Sequence, residues 1–262
     1  MEFSTLAPSD AADGFRVRGP NGDAVLLIHG FTSGPRSLRP WADALLAGGY
    51  TVSLPVLPGH GTRWEDLAAT GREAWTRAVE DEFDALATTH RKVFVAGLSM
   101  GGTLALHLGI RRDPAGIVLV NPALSMVDRT SMLAGVLRRF IPSVPAIAND
   151  IALPGQDEGA YPRTPVAAVH ELRRLITATR RHLDTVRAPV LAYRSLVDHV
   201  VSESGINALR RVLVGMHPAG VPRLQLTYLE RSLHVATLDY DADAIFAGSL
   251  AFFDRLGGHG HG

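Results

Sequence analysis

Apolar residues along the chain follow two alternating periodicities. The runs 50–55, 92–96, 116–120 and 189–193 are almost continuously apolar, as strands buried on both faces are, and 224–229 reads as a late member of the set. Between them, segments 38–47, 72–87, 100–110, 204–213 and 241–256 repeat at the helical period. Near the start, 14–18 and 24–29 read as two strands joined by a tight turn through Pro20, Asn21, Gly22 and Asp23. This alternation predicts an α/β fold: a mostly parallel central sheet flanked by helices, with a binding site beyond the carboxyl ends of the strands.

The alternation breaks over 123–186. Met126, Met132, Leu133, Val136, Leu137, Phe140 and Ile141 form an apolar helical stretch, and a proline-punctuated segment follows up to Pro165. We read 123–186 as a small cap insertion with its connecting helix, set into a core made of 1–122 and 187–262. The alternative is an ordinary long connection packed on the core, but connections this long usually carry function.

Composition narrows the chemistry. A chain of 262 residues suits one substantial α/β domain. Acidic and basic side chains balance at 26 each, so no global field favours nucleic acid or a strongly charged partner. The paired arginines 138/139, 173/174 and 180/181 read as a solvated helix face. With no cysteine there is no disulfide and no thiolate catalysis. Residues 1–13 lack a basic start and an apolar core, and no run reaches about 18 apolar residues, so a cytoplasmic location is expected. The His259 and His261 tail lacks interspersed carboxylates, and the Gly59-His60-Gly61 loop lacks paired zinc ligands. Neither is read as a metal site, and no cofactor is expected.

The chemistry gathers around Gly97-Leu98-Ser99-Met100-Gly101-Gly102, which sits between a predicted strand and a small-residue helix. A nucleophile raised on such a turn needs strained backbone, and glycines on either side let strand and helix approach. The competing reading of Ser99 is a plain helix cap. A serine nucleophile needs an imidazole base, and eleven histidines compete for the role. In this arrangement the chain order is serine, acid, histidine, which excludes His29, His60 and His90. Asp198 follows a late strand and is the candidate acid; Asp184, ahead of that strand, is its rival. His234 follows the last strand and is the candidate base, ahead of His199 and His217. The oxyanion of a tetrahedral intermediate needs two backbone donors, and the amides of Met100 and Phe31 are the candidates.

Several segments resemble the bacterial monoacylglycerol lipase and thermostable carboxylesterase group of the α/β-hydrolase superfamily. They are His29-Gly30-Phe31-Thr32, Leu57-Pro58-Gly59-His60-Gly61-Thr62, the Ser99 turn, Asp198-His199-Val200-Val201 and Ser232 through Tyr240. The turn is shared by the whole superfamily, whereas the Gly59-His60-Gly61 loop and the stretch after His234 are specific to this group. The resemblance implies a Ser99–Asp198–His234 triad, an oxyanion hole from the Phe31 and Met100 amides, a small cap, and cofactor-free hydrolysis of acyl esters such as monoacylglycerols. Ser33-Gly34 departs from the group's usual order, which leaves the shape of that loop open, and the cap matches least well.

The expected activity is carboxylic ester hydrolysis through an acyl-enzyme, with monoacylglycerol the foremost substrate and general carboxylesterase action the alternative. Other reactions on the same scaffold, or a receptor that has kept the hydrolase shell, are rivals. The partner is a small acyl ester rather than nucleic acid. Apolar cap residues around 133–140 offer transient contact with a lipid interface, or else line an acyl tunnel or pack into the core.

Overall fold

The structure, a computed structural model, describes residues 13–127, 133–146 and 148–258. In chain order it comprises β1 (Phe15–Val17), β2 (Ala24–Ile28), α1 (Arg39–Ala47), β3 (Thr51–Leu54), α2 (Trp64–Ala68), α3 (Arg72–Ala87), β4 (Val93–Leu98), α4 (Met100–Arg111) and β5 (Ile117–Val120). Then come α5 (Ala134–Leu137), β6 (Ser143–Pro145), β7 (Arg163–Pro165), α6 (Val166–Arg180), β8 (Val190–Ser195), α7 (Ser204–Val212), β9 (Leu224–Leu229) and α8 (Ala242–Gly257).

Seven strands form one sheet in the order β1-β3-β2-β4-β5-β8-β9, parallel throughout except for β1. Side chains alternate across it, so both faces must be covered. Leu26 and Ile28 of β2 pack with Trp75, Leu104, Leu172 and Leu209 on one face, while Val25 and Leu27 pack with Trp41, Leu45, Ile245 and Phe253 on the other. From β2 the chain steps outward to β3, then returns past β2 to β4. The crevice between the carboxyl ends of β2 and β4 is therefore a topological switch point, where open α/β sheets place their ligands.

The expected pairing of the first two strands does not occur. β2 uses its two edges for β3 and β4, and β1 lies antiparallel on the outer edge of β3, with Phe15 opposite Leu54. The turn residues do turn, but against the start of β3: Asn21 N–H donates to Gly49 O at 3.0 Å and Asp23 N–H to Asn21 Oδ1 at 2.9 Å.

Within 123–186 the apolar helical stretch shrinks to the single turn α5, with Met132 outside the described residues. The dominant element there is α6, the connecting helix, to which the sequence reading assigned no bounds. Its Leu172, Leu175 and Ile176 are buried in the same core as α4. β6 and β7 pair antiparallel as a separate small ribbon. Among the described residues, no helix is long and apolar enough to cross a membrane.

Two buried histidines lie beside the crevice. The Leu57 amide donates to His29 Nε2 at 3.0 Å, so the ring proton sits on Nδ1, which donates to Gly30 O at 2.9 Å. His60 packs edge-on against His29 with centroids 4.9 Å apart, and its Nδ1 donates to Pro58 O. Burial lowers His29 to about 4, and burial together with the His29 charge lowers His60 to about 3, both from an ordinary 6.5. The unfolded chain therefore takes up these protons first as pH falls. The stability they confer is complete above about pH 6.5 and is lost as pH drops toward the folded values, by up to about 1.4 kcal/mol per pH unit for each ring. Thermal melts between pH 7 and 4.5 should show a falling midpoint, with a shallower slope in a His60→Leu variant. Equal slopes in the two proteins would refute this account.

Candidate active site

Ser99 sits where β4 meets α4, at φ 54° and ψ −116°. A residue with a side chain is strained there, at a cost of about 1–3 kcal/mol. Neighbouring backbone holds it in place: Ser99 N–H donates to Val120 O at 3.0 Å, and Ser99 O accepts from Ala123 N at 2.9 Å and Thr103 N at 3.2 Å. The flanking glycines are demanded by contact. A Cβ on Gly97 would lie 2.3 Å from the Gly101 carbonyl carbon, and one on Gly101 would lie 1.9 Å from Ile28 O. Helix α4 can start this close to β2 only because position 101 has no side chain.

Asp198 lies on the loop after β8, with its carboxylate fully buried. Oδ2 accepts from His234 Nδ1 at 2.9 Å and also from Arg194, while Oδ1 accepts the amides of Val200 and Val201, both at 2.9 Å. It does not cap α7; its amide partners belong to its own turn. Burial alone would raise its pKa, but the His234 hydrogen bond and charge, the Val201 amide and the Arg194 charge together hold it at about 2.

His234 follows β9 and is buried. Asn121, at the end of β5, donates from Nδ2 to His234 O at 2.8 Å and to Leu233 O at 3.3 Å, while its Oδ1 accepts Ser195 N–H at 2.8 Å. Asp239 braces the same loop from the other side, accepting the amides of Leu233, Tyr240, Ala152 and Leu153 at 2.7–2.9 Å. With Nδ1 committed to Asp198, Nε2 is the remaining ring nitrogen of His234.

Ser99 and His234 line one cavity of about 210 Å³, bordered by Gly30, Phe31 and Thr32. Gly30 is so near Ser99 that a Cβ there would sit 3.7 Å from the serine Cβ. Thr32 turns the loop at φ 63°, and its carbonyl accepts Tyr161 N–H at 3.0 Å. Ser33 Oγ donates to Glu158 O at 2.9 Å, and Gly34 is extended, so the departure at Ser33-Gly34 leaves a loop tied to the 123–186 segment. Most of the wall is apolar, including Met126, Leu137, Val166, Val169 and Leu172. Asp150, Glu158 and His199 supply the polar part. His199 Nδ1 pairs with Asp150 at 2.8 Å, and that contact raises the His199 pKa. Burial raises Glu158 against the opposing Asn149 amide.

The residues singled out from sequence thus assemble: Ser99 and His234 on the cavity, Asp198 behind His234, Phe31 and the Met100 helix start beside Ser99. Asp184 stays apart, exposed in a short turn ahead of β8, and His217 lies on a loop beyond α7. His60 supports the wall around His29, Phe31 and Trp75. Asn121, Asp150, Glu158, Arg194 and Asp239 were missed as site residues. Asn121 and Arg194 carried one signal, a polar side chain in or just after an apolar strand.

Residues 25–260 match the family model of the alpha/beta hydrolase family. The chain is 39% identical over 256 residues to the thermostable monoacylglycerol lipase of Bacillus sp. (strain H-257), covering 95% of this chain and 97% of that one. It is 28% identical over 240 residues to a carboxylesterase of Bacillus subtilis (strain 168), covering 89% and 93%. A structure from work on the metagenome-derived lipolytic enzymes LipS and LipT superposes with a TM-score of 0.86 at 34% identity, over 92% of this chain and 97% of that one. The monoacylglycerol lipase of Paleococcus ferrophilus shares the fold, with a TM-score of 0.76 at 18% identity over 95% and 100%. By its sheet, its serine turn and these matches, the chain belongs to the alpha/beta hydrolase family.

Proposed function

We propose that the protein is a serine carboxylic ester hydrolase acting on monoacylglycerols. The observation that carries this reading is the buried Asp198–His234 pair beside a strained Ser99 in one largely apolar cavity. Ser99 Oγ attacks the ester carbonyl carbon while His234 takes the hydroxyl proton, and Asp198 stabilises the resulting imidazolium. The carbonyl oxygen gains negative charge facing the amides of Phe31 and Met100; each such donor is worth about 2.7–4 kcal/mol. Collapse breaks the C–O bond, and the departing alcohol takes the proton from His234. Water then repeats the sequence on the acyl-enzyme and releases the fatty acid.

Cavity chemistry and kinship support this substrate class. The apolar wall suits an acyl chain, whereas Asp150, Glu158 and His199 offer partners to the hydroxyls of a glycerol headgroup. In this reading, residues 123–186 form a cap on a core made of 1–122 and 187–262, since α5, β6 and the start of α6 supply much of the acyl wall.

Steady-state rates on monoacylglycerols and p-nitrophenyl esters of increasing chain length test the assignment. Ser99→Ala and His234→Ala should each lower kcat by about 10⁴-fold or more while leaving the melting temperature within a few degrees of the parent. Asp198→Asn should be impaired almost as severely. A Ser99→Ala variant with undiminished turnover would end the assignment. Serine-dependent ester cleavage without glyceride activity would instead make the protein a general carboxylesterase, as the Bacillus subtilis relative is named.

The cap also suits contact with a lipid interface. Leu133, Val136 and Phe140 stand 58%, 63% and 78% exposed on one edge of it. Arg138 and Arg139 lie among them, with Arg173 and Arg174 on the neighbouring α6 and Arg181 just past its end, a basic flank able to meet anionic headgroups. A Phe140→Asp, Val136→Asp double variant should lower hydrolysis of monoacylglycerol in phosphatidylglycerol-containing vesicles by about 10²-fold or more, since each inserted side chain contributes about 1.5–3 kcal/mol. Cleavage of soluble p-nitrophenyl butyrate should be nearly unchanged, and an equal loss on both substrates would refute the surface role.

A further inference from the structure

Behind the site lies a buried cation that the ester-cleaving chemistry does not use directly. Arg194, near the end of β8, is 4% exposed. Its Nη1 donates to Asp198 Oδ2, the oxygen that also receives His234 Nδ1. Nη2 donates to Val201 O at 2.9 Å, and Nε faces Glu203 Oε2 at 3.4 Å. Glu203 is itself held by Tyr228, whose hydroxyl donates to Oε1 at 2.9 Å. With two donors on each oxygen, the Asp198 carboxylate has no freedom to rotate away from the imidazole.

We propose that Arg194 is a positioning residue for ester cleavage: it locks the Asp198 carboxylate against His234, and its charge sets the acidic edge of the pH–rate profile. This rests on the triad reading above. The serine acts only while His234 is unprotonated, and Asp198 stabilises the protonated ring. Arg194, on the far side of the same carboxylate, neutralises part of that attraction. Removing Arg194 would leave that attraction unopposed, so its charge should be read in the pH dependence of the rate. The other charged groups packed around His234 are Asp150, whose Oδ2 accepts the His234 amide at 3.3 Å, Glu158 in the cavity wall, and the Asp150-paired His199. Glu203 moderates Arg194 from behind.

The test is kcat/KM against pH on a soluble short-chain ester for the full-length protein and its Arg194→Met, Arg194→Lys and Glu203→Gln variants. Arg194→Met should move the acidic limb up by about one pH unit, the scale of one charge at this distance. Arg194→Lys keeps the charge and should leave the limb at the parent position with a lower plateau, because the forked contact is lost. Glu203→Gln should move it down, in the opposite direction, and at a half-exposed side chain it remains informative if the methionine variant fails to fold. Plateau losses in every variant with an unmoved limb would reduce Arg194 to a structural residue and overturn the proposal. Parallel Ser99→Ala and Asp198→Asn controls separate the two readings: activity retained in them defeats the triad assignment itself, whereas activity lost in them with an unmoved Arg194→Met limb defeats only the role of Arg194.

Discussion

The close approach of α4 to the middle of the sheet is the constraint on which the rest depends. The carbonyl of Ile28, the last residue of β2, lies where a side chain on Gly101 would be, and Gly97 faces Gly101 with the same lack of room. Strand and helix can meet there only through a turn that leaves Ser99 at positive φ, and the backbone bonds to Val120, Ala123 and Thr103 hold that strain. Because β2 and β4 pair in register, with Ile28 opposite Gly97, the loop after β2 must emerge beside the serine. Gly30 then lies against Ser99 without any further device.

The remaining parts are brought to that point by polar groups satisfied across long sequence separations. Asn121 ties the end of β5 to β8 and to the His234 loop, and Asp239 ties the His234 loop to residues 152 and 153 of the inserted segment. His29 and His60 fix the loop at 57–61 against the crevice as neutral rings, a state enforced by burial. Asn121, Asp239 and His29 would be expensive to bury without their partners, so the loops around Ser99 are specified nearly as tightly as the core.

Elements whose cause is local were readable in the sequence. The parallel strands announce themselves as apolar runs, the helices by their period, and the serine turn by its glycines. That Asp198 and His234 lie together was anticipated from chain order and from their places after late strands. What escaped depends on distant neighbours. The first two strands looked like a hairpin because a tight turn joins them, yet competition for the edges of β2 decided otherwise. The stretch around 133–141 read as one apolar helical stretch, but only one turn forms, and Val136 and Phe140 are exposed. Arg194 shows only as a polar side chain in an apolar strand; its meaning lies in a carboxylate four residues on and an imidazole forty residues on, which only the folded sheet brings together.

Burial acts in opposite senses on the ionisable groups of this site, and specific partners decide each outcome. His29 and His60 are kept uncharged by burial, helped at His29 by the Leu57 amide that its Nε2 accepts. Asp198, also removed from water, is kept charged because four donors, the Arg194 guanidinium among them, outweigh its desolvation. Glu158 lies between these cases: its backbone partner and the nearby His234 favour the carboxylate, but burial dominates and raises it. A chain with no net charge thereby sorts its few buried ionisable groups into fixed states around one serine. His234, whose Nδ1 is anchored on Asp198, is the histidine that this sorting leaves on the same cavity as Ser99.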